Sequence, residues 1–234
     1  MEYKTVIQLG ICVSNDTLYQ RLAHLTALWA QEMCVRLEIH PVPQSSSPDG
    51  MDIFMFEPDS HTAAVEQWAD RRRMIKQPAA LIALVGNSRQ AIASYRCHPT
   101  ALLQQSPNYV QLSAALNQCQ PAWSQGVIWL NLFYQREPVR IPLYQIQYLE
   151  AQGRNTRLQC TSGLFDVNKP LGQIAELLPQ PPFLRCQKSF LVHLSAVSRV
   201  QNGMLTMSNG REIPISRKQV RETQQKVDQW HNLF

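Results

Sequence analysis

Two segments near the C-terminus set cations on what reads as a β framework. Residues 183–194 (FLRCQKSFLVHL) form an apolar run that carries Arg185, Gln187 and Lys188. Residues 209–217 (NGREIPISR) lead from an Asn-Gly pair into a second apolar run ending in Ser216 and Arg217, with Lys218 next. Cations fixed on strands, rather than solvated along a helix face, suit gripping a polyanion. A third stretch rich in donors, Gly153 to Arg157 with Arg154, Asn155 and Thr156 between, follows a strand-like run at 146–150. No nucleophile–base arrangement, glycine-rich phosphate loop or metal-ligand cluster is present in the pattern, so an enzyme, a cofactor and a metal are not expected.

The charge is distributed unevenly. The chain has 234 residues and a formal net charge of +5. Nine of the 22 Lys and Arg and ten of the 17 Asp and Glu fall in residues 1–122, a balance of −1. The remainder holds 13 basic and 7 acidic groups, a balance of +6. Such asymmetry points to a nucleic-acid or anionic partner for the second half, or to a merely basic soluble domain. With 44% hydrophobic and 17% charged residues, the chain is long enough for two cored domains and has no disorder signature.

Six cysteines (Cys12, Cys34, Cys97, Cys119, Cys160, Cys186) are scattered without a CxxC pair, which argues against a disulfide framework or a zinc site. No leader pattern and no run of 18 apolar residues occurs, so the expectation is a soluble, cytoplasmic protein with no membrane partner.

The first half alternates short apolar runs with helical periodicity. Strands are expected at 5–13, 35–40, 52–56, 79–85 and 101–103. Helices are expected after an Asp16 cap, at 61–75, at 88–96 and at 109–116. That alternation predicts a parallel sheet with right-handed crossovers in the flavodoxin-like order. Arg71, Arg72 and Arg73 at a helix end read as solvated cations facing the helix dipole.

After residue 116 the pattern loosens through 118–125, read as a linker at 121–125, and then turns mainly β. Strands are expected at 127–133, 139–143, 146–150, 157–160, 164–167, 183–194 and 196–200. A hairpin over 204–208 and 212–215 is expected across a two-residue type I′ turn at Asn209-Gly210. Helices are expected only at 171–178 and 218–233.

The first 120 residues resemble a response-regulator receiver domain that has lost its chemistry. Such a domain needs an acidic pair after strand 1, an Asp ending strand 3, a Thr or Ser ending strand 4 and a Lys near strand 5. Ser14-Asn15 stand at the acidic pair, Glu57 at the phosphoacceptor, Val85 at the hydroxyl and Gln104 at the Lys. Aspartyl phosphorylation is therefore not expected, although Asp16 and Asp59 lie close enough in sequence to leave a rudimentary cation site open. Glu57 is open to two readings: a fixed carboxylate that imitates the charged state, or a polar strand end.

Residues 126–234 resemble the LytTR DNA-binding domain. The resemblance rests on the 146–150 strand, the 171–178 helix, the Phe-Leu-Arg-x-x-x-Ser-Phe-Leu-Val segment and the Asn-Gly turn followed by Ile-Pro-Ile-Ser-Arg, in that order. It implies an elongated all-β domain of stacked antiparallel sheets in which loops, not a recognition helix, enter DNA grooves. Position by position, it implies DNA contacts at Thr156 with Arg157 (Asn155 beside them), at Gln187 with Lys188, and at Arg217 with Lys218. Gln187-Lys188 and Thr156 depart from the residues common at those places, which leaves the preferred sequence open. His193 reads as a hydrogen-bonded strand residue, and Arg185 as a strand-end cation.

Together the two resemblances imply a sequence-specific transcription regulator of the LytTR response-regulator type. It would bind double-stranded DNA as a homodimer on paired repeats and act independently of phosphorylation. Its first domain would dimerise or sense a protein or small-ligand signal. The alternative is a LytTR-fold interaction protein that heterodimerises with another regulator and restrains it.

Overall fold

The computed structural model describes residues 6–44, 46–58, 62–74 and 80–233, and of Thr62 and Arg73 the backbone only. The chain divides into two compact units: Met1–Ala30 with Val35–Val127, and Gln31–Cys34 with Ile128–Phe234. Among the described residues no helix is long and apolar enough to cross a membrane.

The first unit alternates strands and helices: β1 (Ile7–Cys12), α1 (Asp16–Glu32), β2 (Leu37–Pro41), β3 (Ile53–Phe56), α2 (Thr62–Met74), β4 (Ala80–Val85), α3 (Ser88–Ser94), β5 (Ala101–Gln104), α4 (Tyr109–Gln118) and α5 (Gln120–Trp123). The strands form a parallel sheet in the order β2-β1-β3-β4-β5, the flavodoxin-like arrangement expected from the sequence. β3 is buried throughout and β1 and β4 nearly so, as the continuous apolar runs require of strands covered on both faces.

Helix starts follow local chemistry. Asn15, not Asp16, caps α1: its side-chain oxygen accepts from Thr17 N–H at 2.8 Å, and Asp16 is already helical. Asn108 opens α4 with a capping box completed by Gln111. The helix expected over 88–96 stops at Ser94, and a 3₁₀ turn over Tyr95–Cys97 continues it. Residues 118–125, expected to be a loose linker, are helical and packed instead. Trp123 is buried, lies edge-on to Trp29 at 5.3 Å and donates from its indole to Leu116 O. Cys119, Ala122 and Trp123 are buried and anchor the stretch, while Gln118, Gln120, Pro121 and Gln125 stay exposed and gave it its polar composition.

The second unit contains β6 (Trp129–Tyr134), β7 (Glu137–Pro142), β8 (Ile146–Gln152), β9 (Asn155–Cys160), β10 (Gly163–Val167), α6 (Leu171–Ala175), β11 (Phe183–Gln187), β12 (Phe190–His193), β13 (Val197–Gln201), β14 (Met204–Met207), β15 (Glu212–Pro214) and α7 (Val220–His231). They make three antiparallel sheets, β10-β9-β8-β12-β11, β13-β14-β15 and β6-β7. Alternation sends one set of side chains to each face of the five-stranded sheet. Leu149, Leu158 and Leu191 pack with Leu130, Ile141, Leu171 and Ile174 on one side. Tyr148, Cys186 and Val192 pack with Leu205, Ile213, Val227 and Trp230 on the other.

Three local expectations change. The apolar run at 183–194 is two strands, β11 and β12, joined by a turn at Lys188 and Ser189 and interrupted by a bulge between Arg185 and Gln187. The polar Gln-Lys-Ser triplet is the break in an otherwise apolar run. Two-residue turns with both central residues at positive φ occur instead at Asn202-Gly203 (φ 52° and 73°), between β13 and β14, and at Gln135-Arg136 (φ 51° and 71°), between β6 and β7. Asn209-Gly210 instead sits in a four-residue loop between β14 and β15, where Gly210 alone of the pair has positive φ. The helix expected over 171–178 ends at Ala175.

Candidate nucleic-acid interface

One end of the five-stranded sheet gathers three chain segments. β8 and β9 are joined there by a two-residue turn, Gly153-Arg154, with Gln152 opposite Asn155. Gly153 has φ +67°, which the first central position of a type II′ turn requires and which glycine adopts without penalty. β12 runs antiparallel to β8, with Phe190 opposite Glu150, so the Lys188-Ser189 turn lies at the same end. Ala151 N–H donates to Ser189 O at 2.8 Å and joins the two turns directly. Ser216 N–H donates to Cys186 O at 3.0 Å, which fixes the segment carrying Arg217 and Lys218 against the end of β11.

The structure therefore brings Asn155, Gln187, Lys188, Arg217 and Lys218 to one region, and it places the remaining expected contacts differently. Thr156 is fully buried, and its hydroxyl donates to Lys169 O at 2.7 Å. It ties the start of β9 to the segment after β10 and presents no side chain outward. Arg157 is half-exposed and makes a two-point pair with Asp166 across β9 and β10, at 2.7 and 3.0 Å. The pair holds the Asp166 carboxyl below its usual range through the Arg157 hydrogen bond, and it raises the Arg157 guanidinium in the same way.

Gln187 is half-buried, whereas Lys188, Arg217 and Lys218 are exposed, and no ion pair engages these three cations among the described residues. Arg185 bends over the turn and donates to Lys188 O at 2.7 Å, which shapes the turn from which Lys188 projects. Arg211, on the β14–β15 loop, faces Glu150 at 3.8 Å, whereas Arg199 on β13 is exposed without such a pair among the described residues. Lys226 pairs with Glu222 one helical turn away, at 2.6 Å.

His193, at the end of β12 away from the Lys188-Ser189 turn, is buried and lies edge-on to Phe183 at 4.8 Å, and its Nε2 has no hydrogen-bond partner among the described residues. Burial pushes its pKa down to about 4, so the ring is neutral at neutral pH. The six cysteines are all free and buried. Burial lifts the thiols of Cys34, Cys119, Cys160 and Cys186 to about 12, so they act as small apolar residues rather than nucleophiles.

In the first unit, the carboxyl ends of β1, β3 and β5 hold a closed polar cluster around Glu57. Its Oε2 accepts from Ser14 N–H at 2.7 Å and from Ser14 Oγ at 2.9 Å, and its Oε1 accepts from Gln105 Nε2 at 2.9 Å. Gln105 faces Glu57, one residue beyond the Gln104 that the pattern placed there, because β5 ends at Gln104. All partners are neutral, so they hold the carboxylate by hydrogen bonds without a counter-charge. Asp59 lies outside the described residues, and among the described ones no group of three His, Cys, Asp or Glu could hold a metal ion. Arg71 pairs with Asp49 at 3.3 Å and Arg72 stacks on Trp68 at 5.4 Å, while the side chain of Arg73 lies outside the described residues.

Two residues here escape sequence reasoning. Gln105 falls one place past the strand, where boundaries are least legible. Arg154 was visible only as one donor among several; the Gly-X pair between two alternating runs is the signal that puts it at a turn tip.

Residues 136–228 match the LytTR family, described as the LytTr DNA-binding domain. Among solved structures, a LytTr DNA-binding domain from Bacillus cereus is similar at 23% identity, over 42% of this chain and 94% of that one, with a TM-score of 0.37. A response regulator receiver domain protein from Clostridium thermocellum is similar at 13% identity, over 49% and 94%, with a TM-score of 0.39. A CheY-like receiver domain protein from Methanospirillum hungatei is similar at 11% identity, over 48% and 92%, with a TM-score of 0.37. No curated protein matches the chain.

Proposed function

We propose that this chain, whose residues 136–228 are a LytTr DNA-binding domain, is a transcription regulator that grips double-stranded DNA through the loop end of its five-stranded sheet. The observation that carries this reading is the convergence of Lys188, Arg217 and Lys218 at one end, exposed and without carboxylate partners among the described residues. Cations left unpaired on a backbone-fixed surface attract phosphates at no cost of breaking an existing pair. The β8–β9 and β11–β12 turns stand two strand spacings apart, about 10 Å, close to the roughly 12 Å width of a B-DNA major groove. Gln187 can offer a donor and an acceptor to a base edge, and Arg217 a two-point grip on guanine or phosphate.

The first unit acts in this reading as a receiver-like module that no longer takes phosphate. Support comes from Glu57 at the acceptor position, held by Ser14 and Gln105 where phosphoryl chemistry needs a metal and a cation. Its role is then dimerisation or reception of a protein or small-ligand signal, with the chain acting in the cytoplasm as a homodimer on paired repeats. Salt-dependent binding of the full chain to duplex selected from a random pool tests the reading. Affinity should fall by about 0.9 log units per phosphate contact for each log unit of salt. Absence of any duplex binding at low salt overturns it, and capture of another regulator without DNA retention replaces it with the restraining-partner alternative.

A further inference from the structure

We infer that Arg154, at the tip of the β8–β9 turn, is a contact to the DNA backbone, completing a three-point grip with Lys188 and Arg217. This rests on the DNA-binding reading above and adds a residue and a role to it. Three observations converge on Arg154. It is the second residue of a two-residue turn whose first residue is Gly153, so its side chain starts from the outermost point of the hairpin. The turn lies beside the Lys188-Ser189 turn, joined to it by the Ala151 N–H to Ser189 O bond of 2.8 Å. And the guanidinium is exposed, with no hydrogen bond or ion pair to hold it among the described residues.

The neighbouring groups explain why the cation for this loop is Arg154 and not Arg157. The nearby strand carboxylates are already engaged: Asp166 holds Arg157 at 2.7 Å, and Glu150 faces Arg211 at 3.8 Å. Thr156, between them, is buried and bonded to Lys169 O. The arginine on β9 is thus consumed within the fold, while the one at the turn remains available. A guanidinium with no supporting side chain has no fixed rotamer. It therefore suits a phosphate, which accepts donors from many directions, better than a base edge, which demands a set geometry.

The test uses the full chain and two probes, a random-sequence duplex pool and a duplex selected from it, titrated over a range of salt. Arg154→Ala should weaken binding to both probes by a similar factor, about 5- to 20-fold, and lower the salt slope by about 1. Arg154→Lys should restore the slope. Thermal melting of each variant should match the parent, since the side chain supports nothing in the fold. If Arg154→Ala leaves affinity and slope unchanged while Arg217→Ala weakens binding, the inference fails and the DNA-binding reading stands. If Arg154→Ala weakens only the selected duplex, the residue reads bases and the backbone assignment is overturned. If the parent chain binds neither probe, the underlying reading itself has failed.

Discussion

The carboxyl end of the first unit's parallel sheet and the loop end of the second unit's five-stranded sheet are both places where strand ends gather polar side chains. They are finished in opposite ways. Around Glu57, each carboxylate oxygen is engaged by Ser14 or Gln105, at 2.7 to 2.9 Å. Around Lys188, main-chain bonds from Ala151 to Ser189 and from Ser216 to Cys186 tie the loops together, but the heads of Lys188, Arg217 and Lys218 have no partner among the described residues. The first arrangement satisfies itself, whereas the second leaves its donors for something outside the chain. Satisfaction, more than the presence of charged residues, separates a structural polar cluster from a binding surface.

That contrast makes substitutions in the two places act on different observables. Arg217→Ala should cost the most in binding, about 1–3 kcal/mol of duplex affinity, with the unfolding midpoint hardly moved. Parallel equilibrium titrations and melts check both parts, and a large loss of stability would mean that Arg217 is structural. Acid should strike the second unit through His193. Its folded pKa of about 4 lies below the ordinary 6.5, so the unfolded chain binds the extra proton between those values. Stability is therefore complete above pH 6.5 and declines as pH falls towards 4, by roughly 2 kcal/mol at pH 5. Urea midpoints at pH 7 and pH 5 measure the loss, and His193→Asn should flatten it.

Glu57→Ala should remove about 1–2 kcal/mol of stability from the first unit, because Ser14 and Gln105 lose their acceptor, and leave duplex affinity unchanged. Changed DNA binding would revive the idea that this carboxylate stands in for a charged state. Asp166→Asn should give the smallest effect. It frees Arg157 and removes one negative charge near the loops, so affinity at low salt should rise about threefold while stability falls by less than about 1 kcal/mol. Unaltered affinity would show that Arg157 has no access to DNA even when released.

The parallel sheet and its order were legible because buried strands and amphipathic helices have different periods over long stretches. That the second unit is mainly β was legible for the same reason, whereas its division into antiparallel sheets was expected from the LytTR resemblance. What misled were single residues at boundaries: Asn15 in place of Asp16 at a cap, Gln105 in place of Gln104 past a strand, and a turn hidden in the Gln187-Lys188-Ser189 triplet. The candidate site was legible as composition but not as availability. Whether Arg157 or Arg154 is the unengaged cation depends on Asp166, nine residues away in sequence and opposite only once β9 and β10 pair in register.

The two backbone bonds that weld the three loops, Ala151 N–H to Ser189 O and Ser216 N–H to Cys186 O, carry a consequence for kinetics. A surface whose main chain is already set needs no folding step on encounter, and only side-chain freedom, about 0.5–1.5 kcal/mol for each immobilised chain, remains to be lost. Association should then be limited by diffusion and steered by charge, so that salt slows capture more than it hastens release. Discrimination among sequences would reside in how long the complex lasts.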